Sequence, residues 1–205
     1  MKNVSLVKRF LGILMGMVFV SSLAVSAPEY VKFRNISYNG TGCPLGTVSK
    51  NISLDRQAFT LAFSDYVAET GPGISRRDGY RNCIVSIDLY FPGGWQWAVT
   101  KFDYRGYASL DKSILGTQKT RYWFQGHPHG EAESVIVGPY DDDYHFTDYV
   151  ETHTWSPCGA TRALNINSDI RLNNRRNRWG SGLMTLDSLD GSVSWEFGIA
   201  WRPCR

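Results

Sequence analysis

The chain has 205 residues, with 22 Lys and Arg against 19 Asp and Glu. Lys2, Lys8 and Arg9 all precede Pro28 and no acid does, so residues 28–205 carry 19 charges of each sign. A balanced domain has no overall electrostatic pull toward nucleic acid or an anionic bilayer, so charge gives no reason to expect either as a partner, and no nucleic-acid partner is expected.

Those three bases open a leader. Behind them, Phe10 to Val20 form an apolar stretch, and Ser22-Leu23-Ala24 or Val25-Ser26-Ala27 supply the small residues that a signal peptidase inspects. The stretch is about half the roughly 20 residues needed to cross a bilayer. The pattern predicts a signal peptide over 1–27, removed on export, and a single secreted domain over 28–205. No later run approaches spanning length, so the mature chain is expected to be soluble and extracellular, or periplasmic in a Gram-negative source. No linker, repeat or low-complexity tract divides it.

After the leader, apolar residues recur at every second position, the period of a strand with one buried face. Phe59-Leu61-Phe63 is the first such run. Cys83, Val85, Ile87, Leu89 and Phe91 form the cleanest, with Ser86, Asp88 and Tyr90 facing the other way. Tyr122-Phe124 and Val135-Val137 repeat the pattern more weakly. Leu164, Ile166, Ile170 and Leu172 continue it with Ser168 between, and Val193, Trp195, Phe197, Ile199 and Trp201 close it. Asp190-Gly191 suits a two-residue hairpin turn, because both central residues of a type I′ turn need positive φ. That turn would set Trp195 opposite Leu186 and Phe197 opposite Met184. No helical period of comparable length appears. About nine to eleven strands with turns between them predict an all-β fold, an antiparallel two-sheet β-sandwich or jelly roll.

Cys43, Cys83, Cys158 and Cys204 are the four cysteines, and in an exported chain they are expected to be paired as two disulfides. Four cysteines allow three pairings and the sequence does not choose among them. Pairing Cys43 with Cys83 and Cys158 with Cys204 closes loops of about 40 and about 46 residues, each stabilising by about 4 kcal/mol in the loop-entropy picture. No thiol is then left for chemistry.

Several motifs, in order, carry a resemblance. They are Asn39-Gly40-Thr41-Gly42-Cys43-Pro44, Gly71-Pro72-Gly73, Arg81-Asn82-Cys83, Asp103-Tyr104-Arg105-Gly106-Tyr107-Ala108, Gly116-Thr117-Gln118, Trp155-Ser156-Pro157-Cys158-Gly159, Leu164-Asn165-Ile166-Asn167 and Trp201-Arg202-Pro203-Cys204. Together they resemble a family of small secreted four-cysteine proteins of unknown function found in fungi and bacteria. The resemblance implies export, a compact domain of this size and four structural cysteines. It brings no catalytic residues.

Candidate sites then rest on residue chemistry. His127, His129, Glu131 and Glu133 place two imidazoles and two carboxylates at strand spacing, a ligand set for a divalent metal such as copper or zinc. Gly126, Pro128 and Gly130 favour a turn there, the segment departs from its relatives, and no cofactor is otherwise expected. Asp141-Asp142-Asp143 lacks the alternating ligands of a calcium loop and reads as a solvated hairpin tip. Arg171, Arg175, Arg176 and Arg178, leading into Trp179, form a concentrated basic patch beside an indole, chemistry that suits an anionic glycan, a phosphate head group or a protein. The bland alternative there is an exposed loop with a partly buried Trp. Tyr90, Trp97, Tyr104, Tyr107 and Trp123 are candidate stacking surfaces.

Motifs for nucleophilic, zinc-protease and phosphate-loop chemistry are missing. The leading expectation is therefore a non-catalytic extracellular module that binds a glycan, a cell surface or a foreign protein. The alternative is a secreted hydrolase or metal-dependent enzyme built on the His127/His129 region or on a carboxylate pair drawn from Glu131, Glu133, Glu151 and Glu196. A weaker alternative is a membrane-active toxin or effector.

Overall fold

The computed structural model describes residues 27–125, 130–150, 155–158, 162–186 and 195–204, with the side chains of 195–197 set aside. Residues 1–26 of the leader, His127, His129, Glu151, His153 and the Asp190-Gly191 turn lie outside the described residues. Twelve strands run in chain order among those described: β1 Lys32–Asn39, β2 Val48–Ile52, β3 Ala58–Phe63, β4 Val67–Thr70, β5 Tyr80–Tyr90, β6 Trp95–Leu110, β7 Leu115–Phe124, β8 Gly130–Val137, β9 Tyr140–Tyr149, β10 Leu164–Asn173, β11 Gly182–Thr185 and β12 Trp195–Pro203. All pairings are antiparallel and make two sheets, one ordered β1-β5-β10-β7-β8, the other β2-β3-β12-β6-β11-β4 with β9 also on β6. This is the all-β sandwich that the alternation predicts.

β6 organises the second sheet. Its residues 101–110 ladder with β9 along one edge. At positions that already have a β9 partner it also pairs with β12 (Asp103 with Glu196) and with β11 (Ala108 with Met184), so β11 and β12 share the opposite edge, laid end to end. β4 and β3 follow them in the next rank. This corrects the predicted hairpin. Met184 pairs with Ala68 and Ala108, and Trp195 pairs with Leu61, so β11 and β12 are collinear and unpaired with each other. The physical reason is the length of β6, whose 16 residues offer an edge long enough for both short strands. Two interrupted ranks also explain why twelve strands appear where the pattern suggests fewer.

The core fills the space between the sheets. Phe59, Leu61 and Phe63 from β3, Val85, Ile87 and Leu89 from β5, and Leu164, Ile166, Ile170 and Leu172 from β10 are all buried, as their alternation requires. β8 is the exception. Val135 and Val137 are 51% and 60% exposed while Ile136 points inward, because β8 is an edge strand whose outward face needs no apolar partner. The facing side of β7 is polar. Gln118 Nε2 donates to Thr120 Oγ1 and to Ser168 Oγ, each at 3.0 Å, and the buried Tyr66 hydroxyl donates to the Ser168 carbonyl at 2.8 Å. Each buried polar group thereby avoids the penalty of going unpaired.

Both disulfides form, Cys43–Cys83 and Cys158–Cys204, with Cα separations of 5.5 and 5.8 Å. The first holds the β1–β2 loop against β5, where Gly42 N also donates to Asn82 O at 2.9 Å. The second ties residues 155–158 to the end of β12, and the Arg202 guanidinium lies 4.2 Å over the Trp155 ring. Leu61 and Val135 serve as opposite probes of this burial. Leu61→Ala should cost about 2–5 kcal/mol in urea unfolding, whereas Val135→Ala should stay within about 0.5 kcal/mol.

Candidate functional site

One end of the sandwich gathers the β4–β5 loop (71–79), the β6–β7 loop (111–114) and the β10–β11 loop (174–181). The registers fix this, since Tyr80 pairs with Arg171, Asn173 with Leu115, and Leu110 with Gly182. The 174–181 loop is two successive turns, closed by Asn177 N to Asn174 O at 3.0 Å and Gly180 N to Asn177 O at 3.2 Å. Asn177 is its clamp. Its Nδ2 donates to Lys112 O at 3.0 Å, and its Oδ1 accepts from Gly180 N at 3.0 Å. Ser181 N donates to Asp111 Oδ2 at 2.7 Å and Arg175 N to Asn173 Oδ1 at 3.1 Å. A side chain at Gly180 would bring a Cβ within 2.4 Å of Asn177 Nδ2, so the turn closes only around glycine.

On this clamped loop Arg175, Arg176 and Arg178 are exposed, and Trp179 is 85% exposed. The partly buried Trp of the bland alternative is therefore corrected: no neighbouring element covers the indole, because the loop's packing is done by Asn177 and the backbone. Arg76 and Arg77 are exposed on the adjacent 71–79 loop, and a Cβ at Gly71 would stand 3.0 Å from Ser181 Oγ, so the two loops touch. Their involvement was not legible in sequence, where about a hundred residues separate the loops. Arg171 is exposed and stacks on Tyr80 at 5.2 Å.

Two predicted stacking residues are corrected. Tyr104 and Trp97 are each 1% exposed. Tyr104 lies inward on β6, its ring stacked on Phe102 at 6.1 Å, and burial raises its hydroxyl pKa well above the ordinary value. Trp97 meets Phe124 edge-on at 4.9 Å. Both point inward, from opposite sides of the register shift that β6 makes near residue 100, so neither offers a surface to a ligand. Tyr107 has the outward parity and donates its hydroxyl to Asp141, on the outer face of the second sheet. Tyr90 is 45% exposed beside Tyr30, and Trp123 is half-buried.

The acidic run is also relocated. Asp141, Asp142 and Asp143 sit within β9, paired with Ser109, Ala108 and Tyr107, and are exposed along an edge strand. They are no hairpin tip, because the turn falls earlier, at Gly138-Pro139. Glu131 and Glu133 belong to an ion-pair ladder on the first sheet. Lys119 Nζ lies 2.6 Å from Glu131 and 3.3 Å from Glu133, and Arg121 Nε 2.9 Å from Glu131. Lys119 and then Arg121 hold the Glu131 carboxyl below its ordinary pKa. Among the described residues no three His, Cys, Asp or Glu side chains converge on a metal position.

A second polar cluster lies on the outer face of the second sheet. Asp103 receives Lys101 Nζ at 2.6 Å, Thr147 Oγ1 at 2.5 Å and His145 Nε2 at 3.3 Å. Burial pushes its pKa up, but hydrogen bonds from Lys101 and Thr147, the Lys101 charge and His145 outweigh it, so the carboxyl titrates below its ordinary value. Register places Glu196 beside it on β12. On the first sheet, burial raises the pKa of Asp169 against the pull of Arg121, Arg171 and Lys119.

Fold, disulfides and the loop end define an exported, cystine-bridged β-sandwich with an exposed Arg/Trp tip. The chain belongs to the family of the domain of unknown function DUF4360, whose profile matches residues 29–204. A relative from Arthroderma benhamiae, described as an uncharacterized secreted protein, is 45% identical over 180 residues, covering 86% of this chain and 73% of the relative. Two solved structures are weakly similar. The protein TmCBM61, in complex with β-1,4-galactotriose, shares 9% identity at a TM-score of 0.30 over 84% of this chain and 91% of its own. The enzymatically active domain of bacteriophage CBA120 tailspike protein 4 shares 13% identity at a TM-score of 0.29, over 82% of this chain and 20% of its own.

The Asp103 cluster generates a pH prediction. A carboxyl whose folded pKa lies below the unfolded value stabilises the fold above that unfolded value and loses the contribution as pH falls through the folded one. The thermal midpoint should therefore fall as pH drops below about 4, and Asp103→Asn should flatten that acid limb relative to the wild type in a melting series.

Proposed function

We propose that the protein is a secreted, non-catalytic binding module, working after loss of its leader, that engages an extracellular glycan or protein through the 174–181 loop end. The observation that carries this reading is Trp179, 85% exposed on a loop fixed by hydrogen bonds. An exposed indole forfeits about 1.5–3 kcal/mol of burial. A pinned aromatic at a loop tip is how rigid scaffolds present recognition surfaces, and an already ordered anchor spares most of the entropy cost of binding. The catalytic alternative has less support in geometry. Glu131 and Glu133 are committed to Lys119 and Arg121, and Asp103 is committed to Lys101, Thr147 and His145.

Binding to immobilised extracellular polysaccharides and cell-wall material tests the reading. Trp179→Ala should reduce retention by about tenfold or more with an unchanged melting temperature. Substitution of every His and Glu should leave retention intact. Product release from any of these polymers, abolished by those His or Glu substitutions, would replace the module with the enzyme.

A further inference from the structure

The net charge of the domain hides a separation of charge, and this separation names the ligand class. We infer that the loop end is a receptor for an anionic polysaccharide, a chain bearing carboxylate or sulfate groups; the inference rests on the binding reading above. Four guanidinium groups, those of Arg76, Arg175, Arg176 and Arg178, are exposed on two touching loops, and none has a carboxylate partner among the described residues.

Of the neighbouring acids, Asp78 is paired with Arg81 at 3.0 Å, while Asp111 and Asp141 keep their charge and are held by the Ser181 amide and the Tyr107 hydroxyl. Other bases nearby are offset. Arg77 lines a groove with Asp65, Glu69 and Asp78, and Lys112 one with Asp111 and Asp141. The two grooves hold Arg77, Arg81 and Lys112 against Asp65, Glu69, Asp78, Asp111 and Asp141, so with the four unpaired arginines added, bases outnumber acids at this end, an excess that whole-chain charge counting cancels.

The residue types narrow the partner. Guanidinium is a rigid fork that matches carboxylate and sulfate oxygens two at a time, and it is more weakly hydrated than ammonium. The Trp179 ring offers a flat face for the C–H side of a sugar, so indole and cations together suit a chain that is both ring-shaped and charged. Bilayer insertion needs contiguous apolar surface. The exposed large apolar residues on these loops are Trp179 and Ile74, one on each.

The test uses the secreted full-length protein and four probes: polygalacturonate, dextran sulfate, uncharged dextran, and vesicles of phosphatidylcholine with phosphatidylserine. The two charged polysaccharides should bind and uncharged dextran should not. Affinity should fall about tenfold or more as salt rises from about 0.05 to about 0.2 M, through counterion release. The triple variant Arg175→Gln, Arg176→Gln, Arg178→Gln should lose at least about tenfold and show a shallower salt slope, while Trp179→Ala weakens binding and keeps the slope. Circular dichroism and melting of each variant confirm folding, and charge-preserving Arg→Lys at the three positions should restore most of the salt slope.

Binding of uncharged dextran that is insensitive to salt and to the triple variant, yet lost in Trp179→Ala, would overturn the anionic inference and leave the module standing. Vesicle binding without polysaccharide binding would overturn it in favour of a lipid head group. Polyanion binding that survives both the triple variant and Trp179→Ala would sink the inference and the loop-end reading together, as would failure of all four probes and of cell-wall material to bind.

Discussion

Trp95–Leu110 is the strand on which the architecture depends. It is laddered with β9 along one edge and with β12 and β11 along the other, so across positions 101–103 and 108–110 its backbone is shared between neighbours on both sides. Its inward side chains, among them Trp97, Phe102, Tyr104, Ala108 and Leu110, run nearly the length of the core. A strand paired on both edges and buried on one face cannot slip by a residue without turning Lys101, Asp103 and Arg105 into the core. That one register fixes where the ends of β4, β7, β10 and β11 fall, and through them the positions of the three loops at the tip.

The space between the sheets is not purely apolar. Gln118, Thr120, Ser168 and Tyr66 form a hydrogen-bonded seam where β7 and β10 face the second sheet. Directional bonds of this kind select one relative placement of the sheets, where oily contact alone tolerates several. The cystines act at other places. One holds the β1–β2 loop, the other the end of β12, so covalent restraint sits at the margins and packing governs the middle.

Much of the fold was legible because strand burial has a period of two, which β3 and β5 show without interruption and β10 with only Ser168 and Asp169 breaking its apolar alternation. β8 misled because only one of its three closing residues, Ile136, faces inward, and an edge strand puts weak demands on its outer side. Asp190-Gly191 misled for a different reason: turn propensity is local, whereas the partner of β11 is set by how much edge a distant strand leaves open. Tyr104 and Trp97 differ from expectation because an aromatic suits core and surface equally well, and the strand parity that decides is itself shifted by the β6 irregularity between them. The Arg175–Trp179 cluster was visible as composition. That the loop carrying Arg76 lies beside it was not, since the approach of Gly71 to Ser181 is created by two loops meeting at the end of the sandwich.

Asn177 separates the shape of the tip from its exposed chemistry. Because its amide and the surrounding backbone shape the 174–181 turn, the four residues that meet solvent there have almost no part in keeping the protein folded. The side chains that hold this turn are thus different from those it shows to solvent, and substitution of the latter leaves the scaffold beneath them intact.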